Sequence, residues 1–66
     1  MDSISQKLGT IIEQAKLDQV MAKTVAQRRY AELIENRAIR ASLYIAYKDM
    51  TEERAWEYFQ KGSLGQ

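Results

Sequence analysis

Arginine and tyrosine side chains are concentrated in the middle of the chain, and their chemistry is well suited to binding. The set consists of four of the five arginines and two of the four tyrosines: Arg28, Arg29, Arg37, Arg40, Tyr44 and Tyr47. A guanidinium donates hydrogen bonds to phosphate or carboxylate oxygens, and it also stacks on aromatic rings. On one helix, this combination suits contact with nucleic-acid phosphates and bases, or docking on an acidic protein surface.

The same charges also fit a plain solvated helix face. Arg28 and Glu32 are four residues apart and form an ordinary pair on one side of a helix. The chain has ten Lys and Arg residues against nine Asp and Glu residues. The resulting net charge of +1 is low for a dedicated nucleic-acid binder. A solvated face or pairing within the chain therefore explains most of these charges. For an external contact we predict a protein partner, with nucleic acid as the alternative.

The residue types that most enzymes and metal sites use are missing from the sequence. It contains no cysteine and no histidine, which excludes disulfides, zinc fingers, thiol nucleophiles and imidazole bases. It has no glycine-rich phosphate-binding loop. Glu32 and Glu35 are better explained by pairing with nearby arginines than by acid–base catalysis. We predict a protein without enzymatic activity, cofactor or metal.

Charge is divided unevenly along the chain. Residues 19–48 contain six basic and two acidic residues, whereas residues 1–18 and 49–66 each carry a net negative charge. A basic middle between two acidic ends favours pairing of the ends with the middle, within one chain or between two. A chain of 66 residues without disulfides or metals buries a small core, so a partner chain is the expected supplement.

The first predicted helix covers residues 3–22. Ser3, with a glutamine three residues later, has the spacing of a capping box. An apolar stripe then follows at helical spacing and consists of Ile4, Leu8, Ile11, Ile12 and Ala15. Gly9 interrupts this helix at a cost of about 1 kcal/mol relative to alanine, unless another backbone approaches there.

The second predicted helix covers residues 24–48 and has apolar residues on two sides. Thr24, again with a glutamine three residues later, repeats the capping-box spacing. The main apolar face is rich in alanine and suits close packing on the first helix. The opposite side holds Val25, Ile39 and Leu43, which we predict to be a self-association surface.

No glycine or proline marks the boundary between these two helices. One continuous helix over residues 3–48 is therefore an alternative, and such a helix would need a partner along its length. The capping-box spacing at Thr24 favours two separate helices.

The third predicted helix covers residues 51–61. Thr51 precedes two acidic residues in the first turn, as is common where helices begin. Trp56 and Phe59 form most of its compact apolar face, with Tyr58 on the flank. We predict that Trp56 and Phe59 dock this helix over the end of the two longer ones.

These elements predict one all-α domain over residues 1–62, followed by a flexible tail over residues 63–66. The domain is a helical hairpin with a short C-terminal helix, and two copies are expected to form a dimeric helical bundle. As function we predict a small helical regulator or adaptor that docks on a larger protein as a homodimer. The alternative is a dimeric nucleic-acid-binding regulator that uses the basic central helix.

The sequence also gives an expectation for the compartment. No stretch approaches the roughly 20 apolar residues that a membrane-spanning helix needs. The first residues lack the basic-then-apolar order of a secretory signal, and the absence of cysteine fits a reducing compartment. A cytoplasmic location without membrane contact is therefore expected.

Overall fold

The computed structural model describes residues 3–61, and these residues form three helices joined by two short turns. The helices are α1 (Ile4–Met21), α2 (Val25–Tyr47) and α3 (Glu52–Lys61). The predicted all-α fold is confirmed for these residues, and the alternative of one helix over residues 3–48 is not adopted. Residues 1, 2 and 62–66, which include the predicted tail, lie outside the described residues.

Side-chain hydrogen bonds fix the start of α1. The Gln6 backbone N–H donates to the Ser3 hydroxyl at 3.1 Å, and the Ser3 backbone N–H donates to the Gln6 side-chain carbonyl at 3.0 Å. This reciprocal capping box satisfies two donors that would otherwise lack partners at the helix end. The cap that the spacing predicts is therefore present.

The turn between α1 and α2 is made without glycine. Ala22 and Thr24 both adopt extended backbone angles that any residue accepts. Thr24 begins α2, because its hydroxyl accepts a hydrogen bond from the Gln27 backbone N–H at 3.0 Å. The Gln27 side chain in turn accepts from the Lys23 backbone N–H at 2.9 Å. The break between the helices is thus set by capping and not by a helix-breaking residue.

The turn between α2 and α3 contains a left-handed residue. Asp49 has a φ of 52°, a conformation that aspartate tolerates better than most side chains. The Met50 N–H donates to the Tyr44 carbonyl at 3.2 Å, which closes the end of α2. The Thr51 hydroxyl then accepts from the Arg54 backbone N–H at 3.2 Å and begins α3. The chain therefore reverses here, and α3 packs back on the hairpin of α1 and α2.

Alanine occupies most of the buried core. The central cluster consists of Leu8, Ala38, Ala41, Ala55 and Tyr58, with residues from all three helices. Alanine lets neighbouring helices approach closely, but each alanine buries little apolar area. Among the described residues, Leu8 is the only large side chain that is completely buried. The core is therefore thin, and most bulky apolar side chains lie at its edges or on the surface.

Gly9 lies on the exposed side of α1, where the structure shows no reason for glycine. A Cβ atom added there meets nothing within 4 Å. We expect Gly9→Ala to stabilise the fold by about 1 kcal/mol, because alanine loses less backbone entropy in a helix. Thermal unfolding followed by circular dichroism should show a rise of about 4–8 °C in Tm. A drop in Tm would mean that another backbone covers this side of α1.

Candidate docking surfaces

The hairpin of α1 and α2 has a groove along one side, and α3 fills only part of it. The remainder, here called the open groove, has a volume of about 620 Å³. Its walls are mostly apolar and come from both helices: Ile11, Ala15 and Met21 from α1, and Tyr30, Ala31 and Ile34 from α2. Met21 and Tyr30 are 69% and 67% exposed, so the described residues leave the rim of the open groove accessible. Sequence patterning did not predict it.

Aromatic side chains hold α3 in the filled part of the groove. Tyr58 is buried, and its ring meets that of Tyr44 edge to face at 5.3 Å between centroids. Trp56 stacks on Phe59 at 5.4 Å between centroids, and both pack against the central cluster. The Lys7 ammonium lies 5.9 Å from the Trp56 ring centroid, at a distance that suits a cation–π contact. The structure thus places Tyr58 at the centre of the docked face and Trp56 and Phe59 beside it.

Glu52 links α3 to the start of α1. Its carboxylate Oε2 accepts hydrogen bonds from the backbone N–H groups of Ile4 at 2.9 Å and Ser5 at 3.3 Å. These are donors that the first turn of a helix leaves without partners, and the helix dipole favours a negative charge at that position. The sequence predicts Glu52 as an acidic residue in the first turn of α3, and the structure places it there. Its contact with α1 depends on how the helices pack, so the neighbouring residues in the sequence do not indicate it.

We expect Glu52→Ala to lower the free energy of unfolding by about 1–2 kcal/mol, because the substitution removes a helix cap and leaves backbone donors without partners. Glu53→Ala is the matched control, since Glu53 lies in the same first turn but is exposed. Its expected effect is below about 0.5 kcal/mol. Urea unfolding of both variants measures the difference, and equal losses would show that the cap on α1 contributes nothing.

Arg37 and Tyr44 face α3, although both belong to the predicted partner-contact set. The Arg37 guanidinium donates to the Phe59 carbonyl near the end of α3. Its Cζ also lies 5.6 Å from the Phe59 ring centroid. The Arg37 Nε is buried without a hydrogen-bond partner. Both residues are therefore partly buried, and both contact α3.

The remaining residues of that set lie on the surface of α2. Arg28, Arg29 and Arg40 are exposed, and Tyr47 is 77% exposed. At about 100° per residue, Arg29, Arg40 and Tyr47 project from one side of the helix. They form a small basic and aromatic patch, which the outer side of α2 presents to solvent.

One side of α2 carries three exposed apolar residues, with Glu32 and Asn36 between the first and second of them. These apolar residues are here called the outer stripe and consist of Val25, Ile39 and Leu43. These side chains are 67%, 36% and 47% exposed. They lie within about 40° of each other around the helix axis, on the side away from α1. The outer stripe is the predicted self-association surface, and the open groove lies on another side of the molecule.

The two glutamates considered for acid–base chemistry lie in different environments. Glu35 is partly buried and accepts a hydrogen bond from the Gln19 side chain at 2.8 Å, which ties α1 to α2. Glu32 is exposed. Within residues 3–61, no group of three or more carboxylates is placed to bind a metal. In the same residues, no helix has the length and apolar character that crossing a membrane requires.

Comparison of the chain with protein-family models, curated proteins and solved structures finds no match. A functional conclusion therefore depends on the surfaces described above. Of these, the open groove and the outer stripe are apolar, and the patch around Arg40 is basic.

Proposed function

We propose that the protein is a small non-enzymatic helical adaptor or regulator that docks on a larger protein. The supporting observation is the open groove, an apolar surface that two helices build and that residues 3–61 leave uncovered. Exposed apolar surface on a small domain marks interaction sites when it is contiguous. Met21 and Tyr30 at its rim are residue types that adapt to, or anchor, protein partners.

We further propose that the protein acts as a homodimer through the outer stripe. Val25 and Ile39 are two heptads apart, and Leu43 follows Ile39 by four residues, the spacing that pairs helices in bundles. Asn36 lies on the same side between them and is exposed. An asparagine within such a seam fixes helix register. Pairing of α2 with its copy would form a four-helix core from two hairpins and leave each open groove free.

Replacing Ile39 and Leu43 together by lysine is expected to convert the dimer to a monomer. Two charges in each copy would lie at a desolvated interface, so the dissociation constant should rise more than about 100-fold. Sedimentation velocity at micromolar concentration measures the change. Val20→Lys is the control, because Val20 is 81% exposed on α1 and should leave the dimer intact. A cooperatively folded wild-type monomer at this concentration would contradict the proposal.

Docking on a larger protein is tested by co-purification from the source cell. After nuclease treatment, the tagged chain should co-purify with one larger protein at a constant molar ratio. Ala26→Trp fills the open groove, since Ala26 is an exposed residue of its wall, and should abolish recovery. Val20→Trp places the same ring outside the groove and should not. Equal recovery by both variants would remove the open groove from the proposal.

Nucleic-acid binding is the second candidate, and the exposed patch of Arg28, Arg29, Arg40 and Tyr47 favours it. Random duplex DNA at low salt is the test, because phosphate contacts give an affinity that falls steeply as salt rises. Replacing Arg28, Arg29 and Arg40 by alanine should then weaken binding for every sequence. Arg37 is left unchanged, because it contacts α3. Absence of binding at low salt would eliminate this candidate.

A further inference from the structure

The open groove is continuous with the surface of the hairpin on which α3 packs. Ile11 belongs to both, since it packs against the cluster around Tyr58 and also lines the open groove. On α2, Arg37 contacts Phe59 of α3, and the next residues on that side towards the N-terminus, Ile34 and Tyr30, line the open groove. The surface that binds a helix at one end of the hairpin therefore extends towards the other end.

The lengths of the helices show how much of this surface is free. At about 1.5 Å per residue, α3 spans about 15 Å and α1 about 27 Å. α3 starts beside the first turn of α1, where Glu52 contacts Ile4. About 12 Å of α1 thus extends beyond α3, which is room for about two helical turns of a second segment.

The shape of the open groove favours large side chains on that segment. Ala15 and Ala31 are buried between the two helices, and Ala22 and Ala26 also line the groove. α3 shows how such a surface is filled, because its aromatic residues Trp56, Tyr58 and Phe59 pack on the cluster of small residues from α2. An amphipathic helix with bulky residues three or four apart satisfies the same requirement.

The accessible rim argues against a small molecule as the occupant. Ligand pockets of this size enclose most of the ligand surface, whereas Met21 and Tyr30 are mostly exposed. A small ligand would stay half in water, while a helix would bury one face and keep its polar face solvated.

Asp18 gives the open groove a preference for a positively charged group on its ligand. Among the described residues that line the open groove, it is the only one with a formal charge at pH 7. Its carboxylate is exposed and accepts a hydrogen bond from the Gln14 side chain at 3.0 Å. A cation on the bound segment would pair with this carboxylate, and an acid would be repelled.

From this continuity, shape and charge we infer that the open groove binds an amphipathic helix of the larger partner, placed end to end with α3. A basic residue of that helix pairs with Asp18. This inference rests on the proposed function and names the binding element of the partner. Residues 62–66 of the chain and a second copy of the chain are the other occupants that the test distinguishes.

The test uses two stapled peptides of about eight residues, which match the free length of about 12 Å. The staple is needed because unconstrained helices this short are only marginally formed in water. Both present Trp and Phe three residues apart, and they differ by Lys or Glu at the flanking positions. Fluorescence anisotropy with the full chain should show the Lys peptide binding about five-fold more tightly than the Glu peptide. Asp18→Asn should reduce this ratio to about one. Ala26→Trp should abolish binding of both peptides, and Val20→Trp should not.

Several results would overturn the inference. One is failure of both peptides to bind the folded wild-type chain, and another is equal binding to Ala26→Trp. Tighter binding to a chain ending at Lys61 would identify residues 62–66 as the occupant. Dissociation of the homodimer by Ala26→Trp would identify a second copy. If Ala26→Trp does not fold, Tyr30→Ala replaces it and should weaken peptide binding about five-fold or more.

These outcomes are separable from failure of the proposed function. A larger protein that co-purifies with wild type and is lost with Ala26→Trp keeps the docking function. If the peptides fail to bind in that case, the groove binds a protein element other than a basic amphipathic helix.

Discussion

Leu8→Ala is expected to lower the free energy of unfolding by about 3 kcal/mol, because it leaves a cavity at the centre of the core. Leu8 is completely buried, and its neighbours in the central cluster include Ala38, Ala41 and Ala55. Alanine side chains have no rotamers that would fill the resulting cavity, so the site cannot collapse easily. The stability of small domains starts at about 5 kcal/mol, and at that lower end more than half of it would be lost.

Urea unfolding followed by circular dichroism measures this loss. Leu17→Ala is the matched control, because Leu17 belongs to the same helix but is 54% exposed. Its expected effect is below about 1 kcal/mol. Equal effects of the two substitutions would contradict the placement of Leu8 at the centre of the fold.

Tyr58→Ala is expected to lower the free energy of unfolding by about 3 kcal/mol and to free α3 from the hairpin. Tyr58 is only 6% exposed, and its ring packs edge to face on Tyr44. Its removal takes the largest side chain out of the central cluster and ends the aromatic contact, which is worth about 1 kcal/mol beyond area burial.

Amide hydrogen exchange distinguishes loss of α3 from loss of the whole fold. In Tyr58→Ala, the amides of Glu52–Lys61 should exchange faster than those of Val25–Tyr47, because α3 opens first. Tyr47→Ala is the control, since Tyr47 is 77% exposed and should change stability by less than about 0.5 kcal/mol. Uniform acceleration in every helix would mean that α3 does not open separately.

The helices were predictable because their ends depend on local interactions. Ser3, Thr24 and Thr51 each accept a hydrogen bond from a backbone N–H three residues later. Such caps involve residues that are neighbours in sequence, so their spacing is informative without any knowledge of packing. The same reasoning identified the break at Thr24 in the absence of glycine or proline.

Side-chain roles that depend on packing were less predictable. α2 has apolar residues on two sides, and periodicity alone does not show which side α3 covers. Arg37 and Tyr44 were therefore grouped with the exposed arginines, whereas the structure directs both towards α3. Tyr58 was placed on the flank of α3 for the same reason, and it is the most buried aromatic residue of that helix.

The open groove had no signal in the sequence at all. It exists because α3 is shorter than the hairpin on which it packs. Ala15 and Ala31 at the floor of the groove are buried between α1 and α2, whereas Met21 and Tyr30 at its rim are mostly exposed. Patterning predicts an apolar face along the hairpin, and only the three-dimensional arrangement shows that α3 ends before it covers the whole of that face.

The most direct test of the docking function is the mass of the assembly isolated from the source cell. Native mass spectrometry of the tagged chain, after nuclease treatment, should give a mass equal to two copies of the 7.7 kDa chain plus a larger protein. The same measurement on Ala26→Trp should give the mass of two copies alone. A wild-type mass that corresponds to the chain without any other protein, or to the chain with nucleic acid only, would contradict the account.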